Sequence, residues 1–111
     1  MLKIRQQQMD VLNQAMTAGF ERRMYDYLMK TYADALKRTP KDEVQSAIRT
    51  GTRRAAVYGM IGEYDVARFI DLMYRLSPDF DSKPEHAWIR TVLDDPEIQP
   101  HAKMDLIYEK A

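Results

Sequence analysis

The segment 76–88, LSPDFDSKPEHAW, gathers two aspartates, a glutamate, a histidine and two prolines. Carboxylate and imidazole groups bind metal ions and transfer protons, so this segment is the first candidate for chemistry. A calcium loop needs acids at positions 1, 3 and 5 and a glutamate at position 12. Counted from Asp79, Asp81 fits position 3, but Lys83 and Arg90 occupy positions 5 and 12. The pattern excludes that loop.

A transition-metal site is the second possibility for these residues. His86 and His101 are the two histidines, and they lie fifteen residues apart without the spacing of a zinc-binding helix. Both would have to converge with a carboxylate such as Asp79 or Glu85. We therefore expect no metal and no cofactor.

The same segment fits a turn between two helices. Pro78 ends the preceding helix, because proline restricts the residue before it and has no N–H to donate. Asp81 or Ser82 is expected to cap the next helix, and Phe80 to anchor the turn.

Nucleophilic catalysis and phosphate binding have no support in the sequence. There is no cysteine, no GxSxG motif and no glycine-rich loop. Paired acids such as Asp94 and Asp95 stand next to a proline, a context typical of turns and helix starts. The chain is predicted not to be an enzyme.

Helices must position all of these residues, since apolar residues recur at three- and four-residue spacing and no strand pattern occurs. We predict an all-α fold, a compact single-domain bundle of five or six helices formed by residues 1–111. The predicted helices cover residues 4–17, 20–37, 40–58 and 63–76, a short helix from Ser82 or Lys83 to near Pro96, and a last helix from Pro100.

The helix ends and the core can also be predicted. Thr39 is a candidate N-cap for the third helix, and Gly59 is a candidate left-handed stop with Ile61 packed just beyond it. The predicted core residues are Leu12, Phe20, Leu28, Ile48, Phe69, Ile70, Met73 and Trp88.

The charge balance limits the possible partners. Seventeen basic and seventeen acidic residues give no net charge, so no global field favours nucleic acid or anionic lipid. Residues 21–58 carry an excess of basic side chains and residues 59–111 an excess of acidic side chains.

The N-terminus lacks the apolar core of a signal peptide, and no apolar run is long enough to span a bilayer. We expect a cytoplasmic protein without membrane contact.

A basic cluster leaves DNA binding open as an alternative. Arg49, Arg53 and Arg54 fall on one helix face, and the following helix suggests a helix-turn-helix arrangement. That second helix also carries Glu63 and Asp65, which repel phosphate. A solvated basic face with local ion pairs is the favoured interpretation.

Four segments between residues 50 and 109, RAAVYG, DVARFIDLM, PDFD and MDLIYE, resemble small helical bacterial proteins encoded beside type VI secretion spike, adaptor and effector genes. The resemblance implies a non-enzymatic accessory role as an effector adaptor or chaperone. An immunity protein that neutralises a toxin is the alternative. The implied partner is a protein, either effector or toxin, while self-association stays open.

The partner is expected to bind the fourth helix and the turn after it, on a face opposite the core stripe. Such a face combines aromatic anchors, which carry binding energy, with charges that steer encounter. The Met and Tyr residues of the first two helices, including Tyr27 and Tyr32, are further interface candidates. The predicted site residues are Tyr64, Arg68, Asp71, Tyr74, Arg75, Asp79 and Asp81.

Overall fold

The computed structural model describes residues 19–110, and this part of the chain consists of helices and turns without a strand. The first helix, α1, covers residues 19–31, and the single turn α2 (Ala33–Leu36) follows it. The remaining elements are α3 (Lys41–Val57), α4 (Glu63–Arg75), a 3₁₀ turn (Pro84–His86), α5 (Ala87–Asp94) and α6 (Pro100–Lys110). The predicted all-α bundle of five or six helices is confirmed.

One hydrophobic core joins these helices, and α4 is its centre. This helix packs against α3 on one side and α6 on another, so apolar residues are buried around much of its circumference. Trp88, predicted for the core, is only partly buried, and Leu12 lies outside the described residues. The other six predicted core residues are buried: Phe20, Leu28, Ile48, Phe69, Ile70 and Met73.

The contact between α3 and α4 is close because a glycine stands at the crossing. A Cβ atom built on Gly51 would lie 2.7 Å from Ile70 Cγ1 and 2.8 Å from Met73 Sδ. The absence of a side chain therefore lets α4 approach α3 at this point. The crossing fixes the rotation of α4 and with it the direction of its polar residues.

As predicted, Gly59 is the left-handed residue that stops α3; it lies two residues after Val57 and has a φ of 85°. The Gly59 N–H donates to the carbonyl oxygen of Ala56, and the Met60 N–H donates to that of Ala55. This pair of hydrogen bonds defines a Schellman motif. Its apolar contact comes from Met60, which is fully buried, whereas Ile61 is 36% exposed.

Two predicted caps are wrong. The residue before α3 is Pro40, not Thr39, and no side chain caps the helix there. Neither Asp81 nor Ser82 caps the next helix, which follows Lys83 without a side-chain cap. The turn itself is anchored as expected, because Phe80 is fully buried and its ring centroid lies 5.0 Å from that of Phe69. Within the described range 19–110, no helix combines the length and hydrophobicity needed to cross a bilayer.

Candidate functional site

The seven predicted site residues differ in exposure, and Arg68 and Tyr74 are partly buried. Tyr64 is 66% exposed and Arg75 is exposed. Asp71 and Asp81 are each only 7% exposed, so the prediction that they lie on an exposed face is wrong. Both acids are buried because hydroxyl or guanidinium groups from other helices bond to their carboxylates, which offsets the loss of hydration.

Asp71 lies at the meeting point of three tyrosines. Tyr27 of α1 donates its hydroxyl hydrogen to Asp71 Oδ1 over 2.8 Å, and Tyr32, just after α1, donates to the same oxygen over 2.6 Å. Tyr108 of α6 lies 2.7 Å from Oδ2, and its hydroxyl is also 2.9 Å from the carbonyl oxygen of Arg68. One carboxylate therefore ties the first and last helices of the described chain to α4.

The phenols keep their protons in this arrangement. Burial, followed by the hydrogen bond to Asp71, raises the pKa of Tyr27, Tyr32 and Tyr108 above the usual value for tyrosine. Desolvation disfavours a phenolate, and the nearby carboxylate repels one. The three hydroxyls are therefore fixed hydrogen-bond donors and not bases at neutral pH.

Two adjoining depressions lie above this cluster, and we call them together the tyrosine groove. The first has a volume of about 290 Å³, and its lining consists of Tyr27, Tyr64, Ala67, Arg68, Asp71 and Tyr108. The second, of about 210 Å³, shares three of these residues and adds Phe20, Arg23, Met24 and Glu63. The shared residues are Tyr27, Tyr64 and Ala67, so the depressions form one continuous surface between α1 and α4.

Arg68 is fixed on the floor of the groove and is 11% exposed. Its guanidinium donates to Asp65 over 2.8 Å and to Asp105 over 2.7 Å, and it lies 4.4 Å from the ring centroid of Tyr64. Burial opposes its charge, but the bonds to Asp105 and Asp65 outweigh that effect and raise its pKa. Arg68 also lowers the pKa of Asp105 by donating to it. The ion pairs hold Tyr64 against a rigid cation.

Asp81 belongs to a second, separate cluster. Arg54 of α3 forms an ion pair with Asp81 Oδ1 and donates to the carbonyl oxygen of Pro78. The Tyr58 hydroxyl donates to Asp81 Oδ2 over 2.7 Å, and Arg90 lies 5.8 Å from the Tyr58 ring centroid. These contacts attach the turn after α4 to α3. The role of Asp81 in them is structural.

The remaining predicted residues lie beside these clusters. Tyr74 stacks on Tyr32 with ring centroids 5.8 Å apart, and Arg75 lies 5.7 Å from the ring centroid of Tyr108. Asp79 accepts a hydrogen bond from Ser77 and is outside the lining of both depressions. The structure therefore brings together Tyr64, Arg68 and Asp71. Tyr74 and Arg75 contact two tyrosines that bind Asp71, namely Tyr32 and Tyr108.

Tyr108 and Ala67 line the groove, and no sequence pattern singles them out as site residues. Tyr27 is an interface candidate by residue type alone. The available signal was the number of tyrosines in the chain, seven, together with a buried aspartate's need for donors. It did not indicate which tyrosines meet.

The basic cluster proposed for DNA and the residues proposed for a metal ion have other contacts in the structure. Arg49 donates to Glu21 through two nitrogens, and Arg54 is engaged by Asp81, so two of the three basic-cluster residues already have acidic partners. Among residues 19–110, no group of three or more histidine, aspartate or glutamate side chains is arranged to hold a metal ion. His101 instead lies 3.1 Å from Asp65 and 3.6 Å from Asp105.

The Asp81 cluster predicts a measurable response to alkaline pH. Burial and the bond to Asp81 raise the pKa of Tyr58 to about 12. The group's folded-state pKa is above its unfolded value of about 10, so its contribution is complete below pH 10 and is lost as pH rises toward 12. We expect Tyr58→Phe to be less stable than wild type at pH 9, and this deficit to shrink between pH 10 and 12. Urea unfolding at each pH measures it, and a constant deficit would contradict the linkage.

Comparison of the chain with protein-family models, with curated proteins and with solved structures finds no match.

Proposed function

We propose that this chain is a non-enzymatic protein-binding module whose partner docks on the tyrosine groove. The observation that carries the proposal is an exposed aromatic pair on a rigid base: Tyr64 is 66% and Tyr27 44% exposed, and both line the two depressions together with Ala67. Aromatic, methionine and arginine side chains are enriched where proteins bind each other. The groove combines all three types.

Rigidity supports the same role. The hydroxyl of Tyr27 is held by Asp71, and the ring of Tyr64 lies on Arg68, which two carboxylates fix. Side chains that are ordered before binding lose less conformational entropy when a partner docks. An apolar side chain of the partner can then lie over Ala67, where the largely buried Phe20 and Met24 also line the second depression.

The resemblance to proteins encoded beside type VI secretion genes suggests the class of partner. We propose an effector adaptor or chaperone that acts in the cytoplasm on an effector before export. An immunity protein that neutralises a toxin is the second form of the same binding role. Co-expression with a neighbouring effector separates the two, because only an immunity protein rescues the host from a toxin.

The proposal predicts a binding defect without a folding defect. Tyr64→Ala removes a mostly exposed ring and its contact with Arg68, so we expect the unfolding free energy to fall by no more than about 1 kcal/mol and the affinity for the partner to weaken at least tenfold. The partner is first obtained by co-purification with the products of neighbouring genes. Affinity is then measured by calorimetry.

The matched control is Val57→Ala. Val57 is 81% exposed and is not among the residues that line the groove. Its truncation is expected to leave affinity unchanged. Equal affinity of folded Tyr64→Ala and wild type would show that the partner binds elsewhere.

A further inference from the structure

The Asp71 carboxylate is a buried charge without an ionic partner in the described part of the chain. It is 7% exposed, and its three contacts there are neutral phenols. The ion pairs of residues 19–110 include none to Asp71, and Arg75 contacts the Tyr108 ring instead. Buried carboxylates are usually paired with a cation as well as hydrogen-bonded. Asp71 therefore has no direct ionic partner among these residues, and Arg75 acts on the same tyrosine cluster only through its charge at longer range.

The carboxylate also retains an unused acceptor position. A carboxylate has about four lone-pair sites. Tyr27 and Tyr32 occupy the two sites of Oδ1, and Tyr108 occupies one at Oδ2. Among the contacts of residues 19–110, one position at Oδ2 remains, and Asp71 lines the larger depression. A donor that enters there completes the coordination of the carboxylate without displacing a tyrosine.

The walls around that position favour a cation. Three tyrosines, Tyr27, Tyr64 and Tyr108, line the same depression, and aromatic faces attract ammonium and guanidinium groups. Arg68 forms no ion pair with Asp71, because its two Nη atoms bond to Asp65 and Asp105 and its Nε is buried without a partner among the described residues. Arg68 and Arg75 together balance Asp65 and Asp105, so the local sum of charge is negative because of Asp71.

We propose that the larger depression binds a lysine side chain of the protein partner, with its ammonium group donating to Asp71 Oδ2. This inference rests on the proposed function and names the chemistry that the groove recognises. Lysine fits better than arginine, because a single free acceptor position suits a point charge, whereas a guanidinium prefers two parallel acceptors. The four-carbon stem of lysine lies against the tyrosine rings, and an apolar neighbour in the partner occupies the second depression.

A small-molecule probe tests the site without the partner. Pentylammonium mimics the lysine side chain and is charged at pH 7, and pentan-1-ol is its neutral control. We expect pentylammonium to shift the aromatic NMR signals of Tyr27, Tyr64 and Tyr108 saturably. Pentan-1-ol should bind roughly tenfold more weakly, since it lacks the charge. Equal binding of the two probes, or no shift with either, would overturn the proposal.

Two variants and a third probe complete the test. Tyr64→Ala, which is expected to fold, should weaken pentylammonium binding several-fold while Val57→Ala does not. Asp71→Asn should abolish the preference for the charged probe, provided that circular dichroism shows the variant to be folded. If Asp71→Asn does not fold, the result with Tyr64→Ala decides whether the site exists. Tighter binding of butylguanidinium than of pentylammonium would overturn lysine in favour of arginine.

The outcomes separate this inference from the proposed function. Loss of partner affinity in Tyr64→Ala without any binding of pentylammonium would leave the docking surface standing and remove the lysine site. Binding of pentylammonium combined with unchanged partner affinity in Tyr64→Ala would leave a cation site and remove the docking surface.

Discussion

Asp71→Ala is expected to lower the free energy of unfolding by about 2–5 kcal/mol. The substitution leaves the hydroxyls of Tyr27 and Tyr32 without their carboxylate acceptor in a partly buried site, and the Tyr108 hydroxyl keeps only the carbonyl oxygen of Arg68. Each orphaned buried donor carries a desolvation cost. The loss also disconnects α1 and α6 from α4, so both terminal helices of the described chain are expected to become less protected. Urea unfolding measures the change in stability, and amide hydrogen exchange locates it.

A graded series distinguishes the lost acceptor from the lost charge. Asp71→Asn keeps one carbonyl oxygen for Tyr27 and Tyr32 but presents an NH₂ group to Tyr108, so an intermediate cost is expected. The matched control is Asp79→Ala, because the Asp79 side chain is 62% exposed and its change is expected to cost below about 0.5 kcal/mol. If Asp71→Ala costs no more than Asp79→Ala, the tyrosine cluster does not stabilise the fold.

Arg54→Ala is the second large effect, with an expected loss of about 2–4 kcal/mol. Without its guanidinium, Asp81 keeps only the Tyr58 hydroxyl as a side-chain donor while 7% exposed, and the carbonyl oxygen of Pro78 loses its donor. Breaking a buried ion pair costs more than the pair contributes, because the remaining charge stays desolvated. The loss is expected to loosen the turn after α4, and chemical denaturation with near-UV circular dichroism would record it.

Arg49→Ala provides the control for this second prediction. Arg49 lies in the same helix and also forms an ion pair, with Glu21, but its side chain is 53% exposed. Solvent screens such a pair, so we expect a clearly smaller loss than for Arg54→Ala, and one that shrinks in high salt. Equal losses for the two arginines would show that burial of Asp81 does not set the energetic difference between them.

Local patterns in the sequence determined the helical architecture. Apolar spacing located the helices from residue 20 onward to within a few residues, since the 3.6-residue period of a helix is a property of neighbouring positions. Gly59 was predictable as a left-handed stop for the same reason, because its position after an apolar helical segment is a local signal. Most of the core followed from these faces.

The caps show where local patterns are insufficient. Thr39, Asp81 and Ser82 are all residue types that favour helix starts, yet none of them caps a helix. Asp81 is used instead by Arg54 and Tyr58, which are more than twenty residues away in sequence. Competition between a local and a distant partner for one carboxylate is decided by packing.

The candidate site was determined by the tertiary structure. The sequence placed Tyr64, Arg68 and Asp71 on one helix face, and that much was correct. It assigned this face to solvent, because the opposite stripe of α4 is more apolar. The exposure of a helix face depends on which other helices pack against it, and α1 and α6 bring tyrosines to Asp71 from 44 and 37 residues away. Those hydroxyls make burial of the carboxylate possible, so only the packing of three helices could turn a polar face into the floor of a groove.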